Sequence, residues 1–291
     1  MSLSINSNIT SLSARRNLSN ATSSLGKTFA RLSSGLRVNS AADDAAGLSI
    51  ASKMTAQIRG ANQAVRNTND AISLIQVADG ALEETTSALQ RMRELSVQAA
   101  SDTLTTSDRS DLQTELHQLI SEINRISADT EFNGQNLLGG SAAGGYSTAG
   151  TTAFKFMIGA DAGQTIDLTI NAAAASTVGI LLDGTNLHFS ATGAETGASF
   201  AASAITTLDT AIASISDIRA TLGATQNRLE SAASSLTNMS ENTESARSRI
   251  MDADIAEETS NLTRNSILQQ AGTAVLAQAN QQPQLALMLL R

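Results

Sequence analysis

From Ile58 to Leu89 the chain keeps one rhythm. Ile58, Ala61, Val65, Thr68, Ile72, Ile75, Asp79, Leu82, Thr86 and Leu89 lie alternately three and four residues apart. A mean step of about 3.5 residues marks the seam of a left-handed coiled coil, with Thr68, Asp79 and Thr86 as its polar exceptions. Such a seam continues only where no proline removes a backbone donor and breaks the helix. Proline occurs once in the 291 residues, at Pro283. The spacing therefore predicts a helix over about 44–100, far longer than the usual globular helix.

Related stripes follow. Leu112, Leu116, Leu119, Ile123 and Ile126 predict a shorter helix, opened by the Thr105-Thr106-Ser107-Asp108 capping cluster. Asn133-Gly134 supplies a turn. Leu208, Ile212, Ile215, Leu222, Leu229, Ala233 and Leu236 form a second long seam, interrupted by Arg219 and Gln226. Two long seams separated by a compact insertion predict a mainly α fold: an elongated antiparallel helical bundle, or coiled coil, formed by the N- and C-terminal arms. Between the arms, FKFMIG (154–159) and TIDLTI (165–170) alternate as strands and predict a β-hairpin closed by residues 160–164. Short strands are also expected at Gly179–Leu182 and Leu187–Phe189.

The ends differ from these rods. Ile5, Ile9 and Leu12 form one apolar stripe, and Leu18, Thr22, Leu25, Phe29, Leu32 and Leu36 another. Near the other end, Leu268, Ala271 and Val275 share a face within a segment (265–290) that carries no formal charge. Contiguous exposed apolar surface of this kind marks an interaction site. The ends are expected to order against further copies of the chain.

Composition excludes several classes of function. Cysteine is absent, which removes disulfides, thiolate catalysis and thiolate metal sites. The two histidines, His117 and His188, are far apart in sequence and make a histidine-rich metal centre implausible. A net charge of -8 offers no electrostatic footprint for nucleic acid or anionic membranes. With 2% aromatic residues, no Trp and one Tyr (Tyr146), apolar burial must come from aliphatic seams. No run reaches the roughly 18 apolar residues of a membrane span, and MSLSINSNITSLSARRN lacks the basic start and apolar block of a secretory signal. HExxH, GxxxxGK[ST], GxSxG and GxGxxG are all missing. No catalytic, cofactor-binding or metal-binding residues are expected, and no enzyme.

Four runs resemble bacterial flagellin: LSSGLRVNSAADDAAGLSIASKM (32–54), LQRMRELSVQAA (89–100), FNGQNLL (132–138) and the tail QANQQPQLALMLLR (278–291). The resemblance covers both arms. It implies the extracellular filament subunit, a helical homopolymer for swimming, exported through the flagellar apparatus without a cleaved signal. It further implies a terminal coiled coil (1–43 with 252–291) at the inner tube, a helical rod (44–138 with 203–251), and a β-hairpin with a short variable tip (139–202). Implied partners are other copies, the filament cap, hook–filament junction proteins, an export chaperone on about 255–291, and the flagellin-sensing Toll-like innate receptor. The alternatives are a hook–filament junction protein, which shares related arms, and a secreted membrane-active or translocator bundle.

The residues then fall into groups. Ser40-Ala-Ala-Asp43-Asp44 fits an N-cap with acids in the first helical turn. Gly35 fits a helix end with positive φ. By resemblance, Gln90, Arg91, Glu94, Leu95, Gln98 and Glu115 form a subunit and receptor interface; read as residues alone, they fit a solvated helix face with intrahelical ion pairs. Ile5, Ile9, Leu12, Leu25, Phe29, Leu32, Leu268 and Val275 are the expected terminal assembly contacts. Gln278, Gln281 and Gln282 are expected to line the channel, where uncharged amides stay wet without holding a passing chain by charge. Met92, Met239, Met251 and Met288 read as seam filler.

Overall fold

The computed structural model describes residues 8–139, 146–148, 151–173 and 197–289. Five helices carry it: α1 (Ile9–Ser34), α2 (Ala45–Ala99), α3 (Thr106–Asp129), α4 (Gly197–Met251) and α5 (Ile255–Leu289). Two small antiparallel sheets accompany them. One pairs β1 (Glu131–Phe132) with β2 (Gln135–Asn136); the other orders β3 (Tyr146–Thr148), β4 (Thr151–Met157) and β5 (Thr165–Asn171) with β4 in the centre. The predicted mainly α fold with a central hairpin is the observed one. The strands expected at 179–182 and 187–189 lie outside the described residues, as does His188. The chain divides into two compact units, Arg59–Ser240 and Met1–Ile58 with Glu241–Arg291.

Within the unit Arg59–Ser240, α2 and α4 run antiparallel. Arg93 reaches Asp209 at 2.6 Å, Arg219 reaches Asp79 at 2.7 Å, and Ser240 Oγ donates to Asn62 Oδ1 at 3.1 Å. Asp79 and Arg219 are the charged interruptions of the two seams, and they pair with each other. The deepest line of α2 is Ala61, Ala64, Thr68, Ala71, Ile75, Ala78, Leu82, Thr85 and Leu89, each no more than 2% exposed. The expected seam shares Ala61, Thr68, Ile75, Leu82 and Leu89 with this line. Val65, Ile72, Asp79 and Thr86 instead lie half-buried on its flank. Bulk drew the prediction to the flank, while small alanines permit the closest helix approach and so occupy the centre. Helix α3 shows the same offset: Ile120 and Ser127 are buried, whereas Leu119 and Ile126 are half-buried.

Helix α3 opens with a complete capping box, in which the Thr105 hydroxyl accepts from the Asp108 N–H and the Asp108 carboxylate accepts from the Thr105 N–H. At its other end Asn133 (φ 52°) and Gly134 (φ 74°) form the left-handed turn of the β1–β2 hairpin. Asn136 then donates to the Ser127 and Ala128 carbonyls at 3.0 and 2.5 Å, covering orphan acceptors at the end of α3. Leu137 and Leu138 follow into the core, both fully buried.

The β4–β5 hairpin matches its prediction, with Phe154 opposite Leu168 and Phe156 opposite Ile166. Ile166, Leu168 and Ile170 are buried on one face of β5, and the Phe154 and Phe156 rings stack with centroids 6.2 Å apart. The hairpin meets α2 closely, since a Cβ on Gly60 would lie 2.9 Å from that of Ala160, and Asn67 donates to the Met157 carbonyl at 3.2 Å.

In the other unit α1 and α5 are antiparallel. Asn8 Nδ2 donates to the Ala279 carbonyl at 2.8 Å, and Arg31 lies 3.9 Å from Glu258 near the opposite end. Gly35 ends α1 at φ 72°, its N–H bonded to the Arg31 carbonyl, as expected. Leu36 bridges Asp252, the Arg37 N–H donates to the Met251 carbonyl, and the Ala253 N–H donates to the Gly35 carbonyl. The start of α2 corrects the capping expectation. Asp44 itself is the cap, accepting from the Gly47 N–H at 2.8 Å, and the first turn holds no acid. Ser40 and Asp43 close a separate turn, and the Ser40 hydroxyl lowers the Asp43 pKa from its ordinary value.

Candidate assembly surfaces

The α1–α5 pair sorts the expected terminal contacts into two groups. On α1, Ala14, Leu18, Ala21, Leu25, Thr28 and Leu32 repeat three and four apart and are buried or half-buried. These residues turn toward α5. Leu25 and Leu32 are therefore used within the chain. Ile9, Leu12 and Phe29 stay 71%, 62% and 60% exposed.

Helix α5 carries its apolar stripe on the side away from α1. Leu268, Ala271 and Val275 share one side, which points outward, with Leu268 and Val275 more than half exposed together with Ile267. The inner side carries Leu262, Gln269, Gly272, Leu276 and Ala279. Gly272 explains the rotation: a Cβ there would come within 3.3 Å of Leu18 Cδ1, so the missing side chain lets the two helices approach. Gly272 and Ala279 let the helices approach, and Leu262 and Leu276 fill the space beside them, which leaves the bulky stripe on the far side. Ile5 lies outside the described residues. Gln278 and Gln281 are exposed, and the Gln282 side chain lies outside the described ones.

A second surface joins α2 and α3. Arg91 Nε donates to Glu115 Oε1 at 3.0 Å, and its Nη1 donates to Glu94 Oε2 at 3.1 Å. These hydrogen bonds, to Glu115 first and then Glu94, raise the Arg91 pKa from its ordinary value. Gln90 and Gln98 flank the cluster and are exposed. Leu95 does not belong to this surface: it is 1% exposed and packs in the core beneath. The expectation of intrahelical pairing was half complete, because the Arg91–Glu115 bond crosses between helices. Sequence reading also missed Asn136 and Arg109. Arg109 donates to the Ala99 and Ser101 carbonyls, both at 2.9 Å, and so closes the end of α2.

Among the described residues no group of histidine and acidic side chains could hold a metal ion, and no helix is long and apolar enough to cross a membrane. His117 is half-buried beside Gln113, its Nε2 3.0 Å from the Gln113 amide nitrogen. Of the four methionines read as filler, Met92 is buried and Met251 half-buried, but Met239 is 42% exposed. The Met288 side chain lies outside the described ones.

The antiparallel α1–α5 pair thus makes a helical protein with an apolar stripe left in solvent. Residues 5–143 match the family model for the bacterial flagellin N-terminal helical region, and residues 205–290 match that for the C-terminal helical region. The chain is 45% identical over 287 residues to a flagellin of Halalkalibacterium halodurans, covering 99% of both chains. It is also 45% identical over 289 residues to the flagellar filament 33 kDa core protein of Treponema phagedenis, again with 99% of both covered. A solved structure from Vibrio parahaemolyticus, assigned as flagellar hook-associated, aligns with a TM-score of 0.58 over 72% of this chain and 100% of that one. At 14% identity it shows the shared fold alone. The chain belongs to the bacterial flagellin family. It is a structural subunit of the extracellular flagellar filament that drives motility, and not an enzyme.

Proposed function

We propose that the chain polymerises by covering the outward stripes of the α1–α5 pair with those of neighbouring copies. The observation that carries this reading is the row of large apolar side chains left in solvent at Ile9, Leu12, Phe29, Ile267, Leu268 and Val275, although both helices already pack on each other. At about 25 cal/mol per Å² of apolar area, burying them across an interface adds to the packing of α1 on α5 in opposing the entropy of fixing the terminal segments. Terminal ordering is therefore coupled to docking. Head-to-tail contacts that do not close yield a filament instead of a ring.

In this reading 1–43 with 252–291 forms the inner tube, 44–138 with 203–251 forms the rod, and 139–202 forms its hairpin and tip. Gln278, Gln281 and Gln282 line the channel; replacing Gln278 with Lys is expected to shorten filaments without reducing synthesis. Export follows the flagellar apparatus, with a chaperone masking about 255–291 beforehand, and the cap and junction proteins bound the growing polymer. The Gln90, Arg91, Glu94, Gln98 and Glu115 surface serves subunit contacts and the Toll-like receptor. Arg91→Ala is expected to lower reporter-cell activation by the monomer, and undiminished activation would remove the receptor from this account.

The direct test is seeded growth. Purified monomer added to short filament fragments is expected to elongate them under the electron microscope, and Phe29→Ser or Leu268→Ser to stop elongation. Both positions are exposed, so each change should alter monomer stability by no more than about 0.5 kcal/mol. Normal elongation by both variants would contradict the reading.

A further inference from the structure

The chain contains a single Asn-Gly pair, Asn133-Gly134, and it forms the exposed two-residue turn between β1 and β2. Asn-Gly is the dipeptide in which a backbone nitrogen most readily attacks the preceding side-chain amide, because glycine offers no Cβ to obstruct the approach. Three observations favour that reaction here. The Asn133 side chain makes no hydrogen bond among the described residues, and neither does the Gly134 N–H. The space where a Cβ would stand on Gly134 is open. Both residues have positive φ, 52° and 74°, so regular secondary structure does not hold the peptide between them.

Among the described residues, Asn39, Asn265 and Asn136 are guarded. Asn39 donates to the Ala30 carbonyl and to Ser34 Oγ at 3.2 and 2.8 Å, while the next N–H, of Ser40, donates to Asp43 Oδ2 at 3.1 Å. Asn265-Ser266 lies inside α5, where helical hydrogen bonds occupy the backbone N–H. Asn136 spends its amide on the end of α3, and the following Leu137 N–H donates to the Thr130 carbonyl at 3.0 Å.

We propose that Asn133 is a site of spontaneous deamidation and isoaspartate formation. The Gly134 nitrogen forms a bond to Asn133 Cγ, the bond from Cγ to the side-chain nitrogen breaks, and ammonia leaves carrying the displaced proton. Water then opens the succinimide at either carbonyl. The net change is asparagine plus water to aspartate or isoaspartate plus ammonia. The aspartate product fits the turn, since a short polar side chain tolerates the left-handed region. The isoaspartate product does not, because it adds a carbon to the main chain within a two-residue loop. That addition disturbs the pairing of Phe132 with Gln135 and of Glu131 with Asn136, and with it the cap that Asn136 places on α3. The modification thus acts as a clock whose slow product loosens the end of α3.

This inference does not depend on how copies assemble. Folded monomer is aged at mildly alkaline pH, and its peptides are followed by mass spectrometry for the exchange of NH2 for OH. Isoaspartate is counted by methyl transfer from labelled S-adenosylmethionine with an isoaspartyl methyltransferase. Conversion at Asn133 is expected to run at least about tenfold ahead of Asn39, whose reacting groups are hydrogen-bonded. Asn133→Gly keeps a residue suited to positive φ and is expected to lose most of the methyl-accepting signal. Equal conversion at Asn39 and Asn133, or an undiminished signal in the variant, would overturn the proposal.

Discussion

Asp79 and Arg219 show what one polar pair does inside an apolar seam. The Arg219 side chain is 33% exposed and that of Asp79 is 41%, so solvent screens their attraction. The pair nevertheless ties α2 to α4, and Glu83, one turn along α2, lies a further 3.8 Å from Arg219. A double-mutant cycle with Asp79→Ala and Arg219→Ala, read by urea unfolding of the monomer, is expected to give a coupling of about 0.5 kcal/mol. Strictly additive effects would mean that the two side chains do not interact. Apolar burial is the larger contribution. Leu82→Ala, at a site with no exposed surface, should cost about 3 kcal/mol, whereas Val77→Ala, 42% exposed on the same helix, should stay within about 0.5 kcal/mol.

Helix α3 depends on both of its ends. Thr105→Ala removes the hydroxyl of the capping box and should cost about 1 kcal/mol. The pH dependence follows from Asp108, whose pKa lies below its ordinary value of 3.8 because the Thr105 hydroxyl, and then the Thr105 N–H, donate to the carboxylate. A depressed folded pKa gives stability that is complete above the unfolded value and is lost as pH falls through the folded one. The difference in urea midpoint between wild type and Asp108→Asn should therefore shrink as the pH drops below 3.8; a difference that grew on acidification would contradict this account of the cap. Much of this element was legible beforehand, because Thr105, Asp108 and Gly35 act through their immediate neighbours in the chain. The same holds for the β4–β5 hairpin, whose alternation declares its two faces. What could not be read locally was the rotation of each helix. Ala64, Ala71, Ala78 and Gly272 sit at the points of closest approach, and a small residue carries no hydrophobic signal that announces this. Asn136 and Arg109 were missed for a related reason: each satisfies carbonyls eight or more residues away, in a geometry that only the folded turn creates.

The molecule divides its apolar residues between two tasks. Those in the unit Arg59–Ser240 are mostly buried within the chain, including Leu95, Leu137 and Leu138. In the other unit Leu18, Leu25, Leu32 and Leu276, with small residues such as Ala14 and Gly272, hold α1 and α5 together, while Leu12, Phe29 and Leu268 remain in solvent. Family membership makes the chain a filament subunit; the division of surfaces supplies a physical reason why it should need its own kind. Because cysteine is absent from the sequence, single thiols introduced at Leu12, Phe29 and Leu268 report accessibility without background. Maleimide labelling of these variants as monomers, and after copolymerisation with excess wild-type subunits, is the most direct measurement. Fast labelling in the monomer and strong protection in the filament is the predicted result, and equal reactivity in both states would contradict the claim that neighbouring copies cover these stripes.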